Sequence, residues 1–98
     1  MKKIVVTGGN GFIGSNLVNF LTKKKYFVIN IDKNKYSKGS YLLKNLSKEY
    51  YKFYKLDINS KKIFHILKKY KPVAIFNLAA ETHVDRSIDA PENFISSN

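Results

Sequence analysis

Apolar residues fall into four short runs, each separated from the next by a polar stretch or by a helical repeat. Ile4, Val5 and Val6 form the first run, which ends at Thr7 where glycines take over. Ile13, Leu17 and Leu21 then recur at every fourth position, predicting a helix from about Gly11 to Lys24. YFVINID predicts a second strand that closes on Asp32. A polar, lysine-rich loop through Gly39 follows, and then a short helical piece around Leu42 to Leu46. YKFYKLDI predicts a third strand ending near Asp57. Asn59 or Ser60 is placed to cap a helix whose apolar face is Ile63, Ile66, Leu67 and Tyr70. Lys68, Lys69 and Lys71 at its last turn suit the helix dipole, and Pro72 stops it. VAIFNLAA is apolar almost throughout, as in a strand covered on both faces.

This alternation predicts an α/β fold with a parallel sheet and right-handed crossovers. Four strands make half of a doubly wound domain and leave the fourth with an apolar edge, which soluble proteins rarely keep open. The expectation is therefore that residues 1–98 are the N-terminal portion of a larger protein or a truncated gene product, with a further helix beginning near Pro91.

Composition removes several alternatives. The chain has no cysteine, hence no disulfide framework and no thiolate metal site. The start, MKKIVVTGG, has too short an apolar run for a signal peptide, and no stretch is long enough to span a bilayer. A cytoplasmic protein is the expectation. The net charge of +11 raises nucleic acid as a partner, but seventeen of the eighteen basic residues are lysine. Arg86 is the single planar fork of the kind that reads base edges. Scattered lysines read instead as a solvated surface.

The chemistry sits at strand ends. VVTGGNGFIGSN contains Gly9-x-Gly11-x-x-Gly14 and, overlapping it, Gly8-x-x-Gly11-x-x-Gly14. The motif follows a strand, opens a helix, and is followed by an acidic residue, Asp32, at the end of the next strand. This is the context of a Rossmann-like dinucleotide fold. Gly8 permits a tight turn, Gly11 lets a pyrophosphate approach the backbone, and Gly14 allows close helix–strand packing. Asp32 is placed to accept hydrogen bonds from both ribose hydroxyls and to repel a 2′-phosphate, so NAD is expected over NADP, with Lys33 opposing that preference. An ATPase loop is excluded because Ser15 stands where that motif requires lysine. Asp57 and Ile58 offer an acceptor and an apolar wall to an adenine; the alternative is that Asp57 is no more than a strand-end residue before the helix cap.

The fourth strand ends in LAAETHVDRS, a switch from apolar to polar at the end of the sheet where ligands bind. With TGGNGFIGSN, Asp32, Asp57-Ile58 and this segment in place, the whole chain resembles the first third of the extended short-chain dehydrogenase/reductase family. Within it, the resemblance is to the dTDP-glucose 4,6-dehydratases. It implies that Phe12 and Ile13 offer backbone amides to the pyrophosphate, and that Asp32, Lys33, Asn34 and Lys35 surround the adenosine ribose. It further implies that Leu78, Ala79, Ala80, Glu81 and Thr82 line the cofactor, that Thr82 also reaches the sugar nucleotide, and that Ser97 touches the cofactor. The implied chemistry removes a hydride from C4 of the glucose, eliminates water across C5 and C6, and returns the hydride to C6. A homodimer acting on dTDP-glucose in deoxysugar nucleotide biosynthesis is the implied setting.

The resemblance also implies a Tyr-x-x-x-Lys pair for proton transfer, which is expected beyond Asn98. Tyr51 and Lys55 fit that spacing but fall in a predicted strand, where the lysine is not one helical turn from the tyrosine. They are rejected, and no catalytic residue is expected within the 98. His83, Asp85 and Arg86 read as a brace for the floor of the site rather than as metal ligands, and His65 as a helix residue. Two alternatives stay open: another NAD-dependent sugar-nucleotide epimerase or dehydratase, and a non-catalytic basic fragment.

Overall fold

The computed structural model describes residues 1–35 and 37–79. In chain order these form β1 (Lys3–Thr7), α1 (Phe12–Lys23), β2 (Phe27–Asp32), a 3-10 turn (Ser40–Leu43), β3 (Tyr51–Lys55), α2 (Lys62–Tyr70) and β4 (Ala74–Asn77). The strands make one parallel sheet in the order β3-β2-β1-β4. Val6, for example, lies opposite Asn30 on one side and Phe76 on the other.

Side chains alternate between the two faces of a strand, and both faces here are covered. Ile4 and Val6 of β1 join Val28 of β2 against Val18 and Leu21 of α1 and Leu43 of the 3-10 turn. Val5, Ile29 and Ile31 point the other way and pack on Ile66 of α2, with Ile63, Leu67 and Tyr70 around it. The unbroken apolar strands and the apolar stripe of α2 thus have one cause, a three-layer arrangement. Tyr70 adds a hydroxyl contact of 2.7 Å to Tyr54 on β3.

Both helices end on a lysine in the left-handed region, where glycine is the usual choice. Lys25 (φ 68) follows α1, and its N–H donates to the Thr22 carbonyl. Lys71 (φ 47) closes α2 by donating to the Leu67 carbonyl, and Pro72 prevents continuation.

Three boundaries differ from expectation. The helical piece expected at Leu42 to Leu46 is a single 3-10 turn at Ser40–Leu43, pulled earlier because Gly39 N–H donates to the Asn10 carbonyl. Leu43 is buried there, and Leu46 packs on the same cluster without being helical. β3 stops at Lys55, although Leu56 N–H still reaches the Asp32 carbonyl. Asp57 then turns the chain by accepting the Asn59 N–H on Oδ1 at 2.8 Å. Helix α2 begins later than Asn59 or Ser60 suggests, but Ser60 Oγ does accept the Lys62 N–H at its start.

Among the described residues β4 is an edge strand, half-buried along its length. The lysines of Lys23 to Lys25, Lys61, Lys62, Lys68, Lys69 and Lys71 are all exposed. Among the described residues no helix is long and apolar enough to cross a membrane.

Candidate functional site

Strand order reverses between β1 and β4. The chain builds outward from β1 to β2 to β3, then crosses back to place β4 on the far side of β1. Beyond the carboxyl ends of the strands lies an open cleft of about 730 Å³. Gly8 after β1, Ile31 and Asp32 of β2, Leu56 to Ile58 after β3, and Asn77 to Ala79 of β4 all line it. Such a reversal leaves a crevice that adjoining loops cannot fill, which is where open parallel sheets take ligands.

The turn from β1 into α1 forms one wall. Gly8 has φ 76, a conformation that strains residues with a Cβ, and its N–H donates to the Ile31 carbonyl at 2.8 Å. A Cβ at Gly14 would collide with the Gly8 carbonyl oxygen, so its glycine serves the approach of α1 to the turn. Gly11 differs. A Cβ there would meet nothing nearer than the Gly8 oxygen at 3.5 Å, yet Gly11 lines the cleft. Packing does not demand glycine at that position; what the missing side chain preserves is access to the backbone from the cleft.

Helix α1 opens on this wall with no side-chain cap and no acidic residue in its first turn. A helix cannot pair its first N–H groups internally, and Phe12, Ile13 and Gly14 all line the cleft. Those groups and the dipole favour an anion by about 0.3–1 kcal/mol.

Asp32 stands across from the turn. Its Oδ2 accepts the Asn10 N–H at 3.0 Å and its Oδ1 the Asn34 N–H at 2.9 Å. The carboxylate is thus fixed at both oxygens while keeping further acceptor capacity toward the cleft. On the far side, Thr7 Oγ1 donates to Asn77 Oδ1 at 2.6 Å and accepts the Ala79 N–H at 3.3 Å. The ends of β1 and β4 are thereby clasped beneath the cleft.

The family model described as GDP-mannose 4,6 dehydratase matches residues 5–98. The chain belongs to this family. It is similar to the dTDP-glucose 4,6-dehydratase of Haemophilus influenzae, at 43% identity over 101 residues covering 100% of this chain and 30% of that protein. It is also similar to one from Escherichia coli, at 46% identity over 99 residues covering 98% and 27%. The chain therefore spans under a third of the length of these relatives. Among solved structures it resembles dTDP-glucose 4,6-dehydratase from Bacillus anthracis in complex with NAD. That match has a TM-score of 0.72 and 36% identity, covering 84% of this chain and 28% of that one. UDP-glucose 4-epimerase from Thermotoga maritima with UDP-glucose superposes with a TM-score of 0.67 at 33% identity, covering 94% and 28%.

In this member of the dehydratase family, most expected positions come together. Gly8, Gly11, Phe12, Ile13, Gly14, Asp32, Lys33, Asn34, Asp57, Ile58, Leu78 and Ala79 share the one cleft. Lys35 does not; it lines a smaller cleft of about 220 Å³ with Asn10, Ser40, Lys44, Tyr51 and Phe53. Ala80, Glu81, Thr82 and Ser97 lie outside the described residues, as do His83, Asp85 and Arg86. Asn77, Ser37 and Asn59 join the cleft without having been expected. Thr7, Asn10 and Asn30 support it from below, and their signal was present as polar residues in otherwise apolar or glycine-rich stretches.

Tyr51 and Lys55 do lie on a strand, β3. Burial pushes the Tyr51 hydroxyl above the usual tyrosine value; its hydrogen bond from Asn30 opposes the shift, and the nearby charge of Asp32 adds to it. A tyrosine that takes up a substrate proton needs the opposite shift.

Proposed function

We propose that this chain is the dinucleotide-binding part of an NAD-dependent sugar-nucleotide dehydratase, a hydro-lyase converting dTDP-glucose to dTDP-4-keto-6-deoxyglucose. The observation that carries this is the Gly11 wall facing Asp32 across one cleft at the strand-order reversal. Identity of 43% to a dTDP-glucose 4,6-dehydratase along the whole chain supports the choice of reaction.

The residues divide the cofactor between them. The turn from Gly8 to Gly11 and the opening N–H groups of α1 hold the pyrophosphate. Asp32 accepts the ribose hydroxyls, with Lys33 and Asn34 beside it, and its charge opposes a 2′-phosphate. Asp57 keeps Oδ2 for the adenine amino group while Asn59 holds Oδ1, and Ile58 covers the ring. Leu78 and Ala79 are assigned to the nicotinamide half, a role the family resemblance extends to Ala80, Glu81, Thr82 and Ser97, with Thr82 also assigned to the sugar. Bound NAD supplies a reversible hydride acceptor. Tyr51 and Lys55 lie on a strand and do not form the proton-transfer pair, so this reading assigns the described residues to cofactor binding and the proton transfers elsewhere. A cytoplasmic homodimer is the setting that belongs to this reading.

Calorimetric titration with NAD and NADP tests the assignment. Tighter NAD binding is expected; tighter NADP binding overturns the role given to Asp32. An assay for dTDP-4-keto-6-deoxyglucose is expected to show no product from the 98-residue chain, and turnover would place the chemistry within it.

A further inference from the structure

The glycine turn and the loop after β2 are joined by two side-chain amides. Asn30 lies within β2 and is completely buried, beside Ile29 and Ile31. Its Oδ1 accepts the Gly9 N–H at 2.9 Å, and its Nδ2 donates to Asn10 Oδ1 and to the Tyr51 hydroxyl, each at 3.0 Å. Asn10 is 2% exposed. Its Nδ2 donates to the carbonyls of Asn34 at 2.5 Å and Lys35 at 3.0 Å, while its backbone N–H holds Asp32 Oδ2. The Asn34 N–H closes the circuit on Asp32 Oδ1.

A buried amide in an apolar strand is costly unless its donors and acceptor are paired, and here they are. The fit around Gly9 is equally close, since a Cβ there would run into the Asn30 side chain. A hydrophobic residue at position 30 would extend the apolar pattern of Val28, Ile29 and Ile31 and need no such pairing. What the amide adds is a mechanical link between two loops that belong to different strands.

We propose that Asn10 and Asn30 are positioning residues that act through Asp32, locking the glycine turn to the loop after β2. The pyrophosphate wall and the ribose carboxylate are then presented as one preformed unit. This rests on the dinucleotide reading of the cleft and goes beyond it in naming what orients the carboxylate. Without the link, binding must itself order the loop and the Asp32 side chain, and affinity falls by that ordering cost.

A double-mutant cycle on NAD affinity tests this, using the 98-residue chain with Asn10→Ala, Asp32→Ala and the pair. Asn10→Ala is expected to weaken NAD about tenfold when Asp32 is present and less than about threefold when Asp32 is already alanine. Equal losses in the two backgrounds would mean that Asn10 merely supports the fold, and would overturn the proposal. A second measurement guards against misfolding and against failure of the cofactor assignment. Backbone 15N order parameters at Asn34 and Lys35 in the milder Asn10→Ser chain are expected to fall relative to those of β1. Unchanged order there overturns the proposal. If the unsubstituted chain takes up no NAD, the functional assignment fails, while the order parameters still decide whether the amides hold the loop.

Discussion

Thr7 Oγ1 and Asn77 Oδ1 lie 2.6 Å apart, a hydrogen bond spanning seventy positions of sequence that ties β1 to β4 where the strand order reverses. The same hydroxyl accepts the Ala79 N–H, so one buried oxygen organises the end of an edge strand. Thr7→Val keeps the shape and strands both partners. The expected cost is about 1–3 kcal/mol, read as a lower urea midpoint with an unchanged slope. Thr7→Ser is expected to recover most of it.

Asp32 sits differently, since its partners are backbone N–H groups and its outward face is offered to a ligand. Asp32→Ala is expected to weaken NAD about 10- to 100-fold, the worth of hydrogen bonds from ribose hydroxyls to a charged acceptor. NADP is expected to lose far less, because the same change removes a repulsion from its 2′-phosphate. Parallel titrations of both nucleotides check the pair of expectations.

The strands and helices could be read from periodicity because burial on two faces writes it directly into the sequence. Ile63, Ile66, Leu67 and Tyr70 are the plainest case, all four packed on the second core cluster. The glycine motif and Asp32 were readable for a different reason: each needs one residue type at one position. Asn30 was not, although it interrupts an apolar strand, because its role depends on Gly9, Asn10 and Tyr51 meeting it in space. Lys35 shows the converse. The resemblance set Lys35 beside Asp32 around the ribose, but the Asn10 side chain holds the carbonyls of Asn34 and Lys35, and Lys35 lines the smaller cleft. The 3-10 turn was misplaced because Gly39 is held by the Asn10 carbonyl, a contact with no local signature.

Alkaline pH should expose the burial of Tyr51. Desolvation holds its hydroxyl above the ordinary value of 10.0, against the Asn30 hydrogen bond and with the help of the Asp32 charge. Above pH 10 an unfolded tyrosine releases its proton while the folded one keeps it, so the unfolded state binds fewer protons and stability falls as pH rises. The contribution is whole below pH 10 and is lost as pH climbs through the folded value. Tyr54 shifts in the same direction, through desolvation and its contact with Tyr70. Tyr51→Phe is expected to be less stable at neutral pH by about 1 kcal/mol, having lost the Asn30 bond. Its denaturation midpoint should decline less steeply above pH 10 than that of the unsubstituted chain.

Gly11 and Gly14 belong to one motif but answer to different constraints, and alanine substitution should separate them. At Gly14 an added Cβ collides with the Gly8 carbonyl oxygen and sits 2.8 Å from Gly9 Cα, both backbone atoms that cannot swing aside. Gly14→Ala must push α1 away from the turn, and overpacking of this kind costs about 1–3 kcal/mol. At Gly11 the nearest atom to an added Cβ is 3.5 Å away, an ordinary contact, and φ is −74. Gly11→Ala is expected to leave the melting temperature nearly unchanged while cutting NAD affinity at least about tenfold, because the methyl group enters the space a pyrophosphate needs. Thermal unfolding beside calorimetry reads both quantities on the same two proteins. A Gly11→Ala chain that melts normally and binds NAD normally would mean that the phosphates do not approach this backbone, and the assignment of the cleft would fall with it.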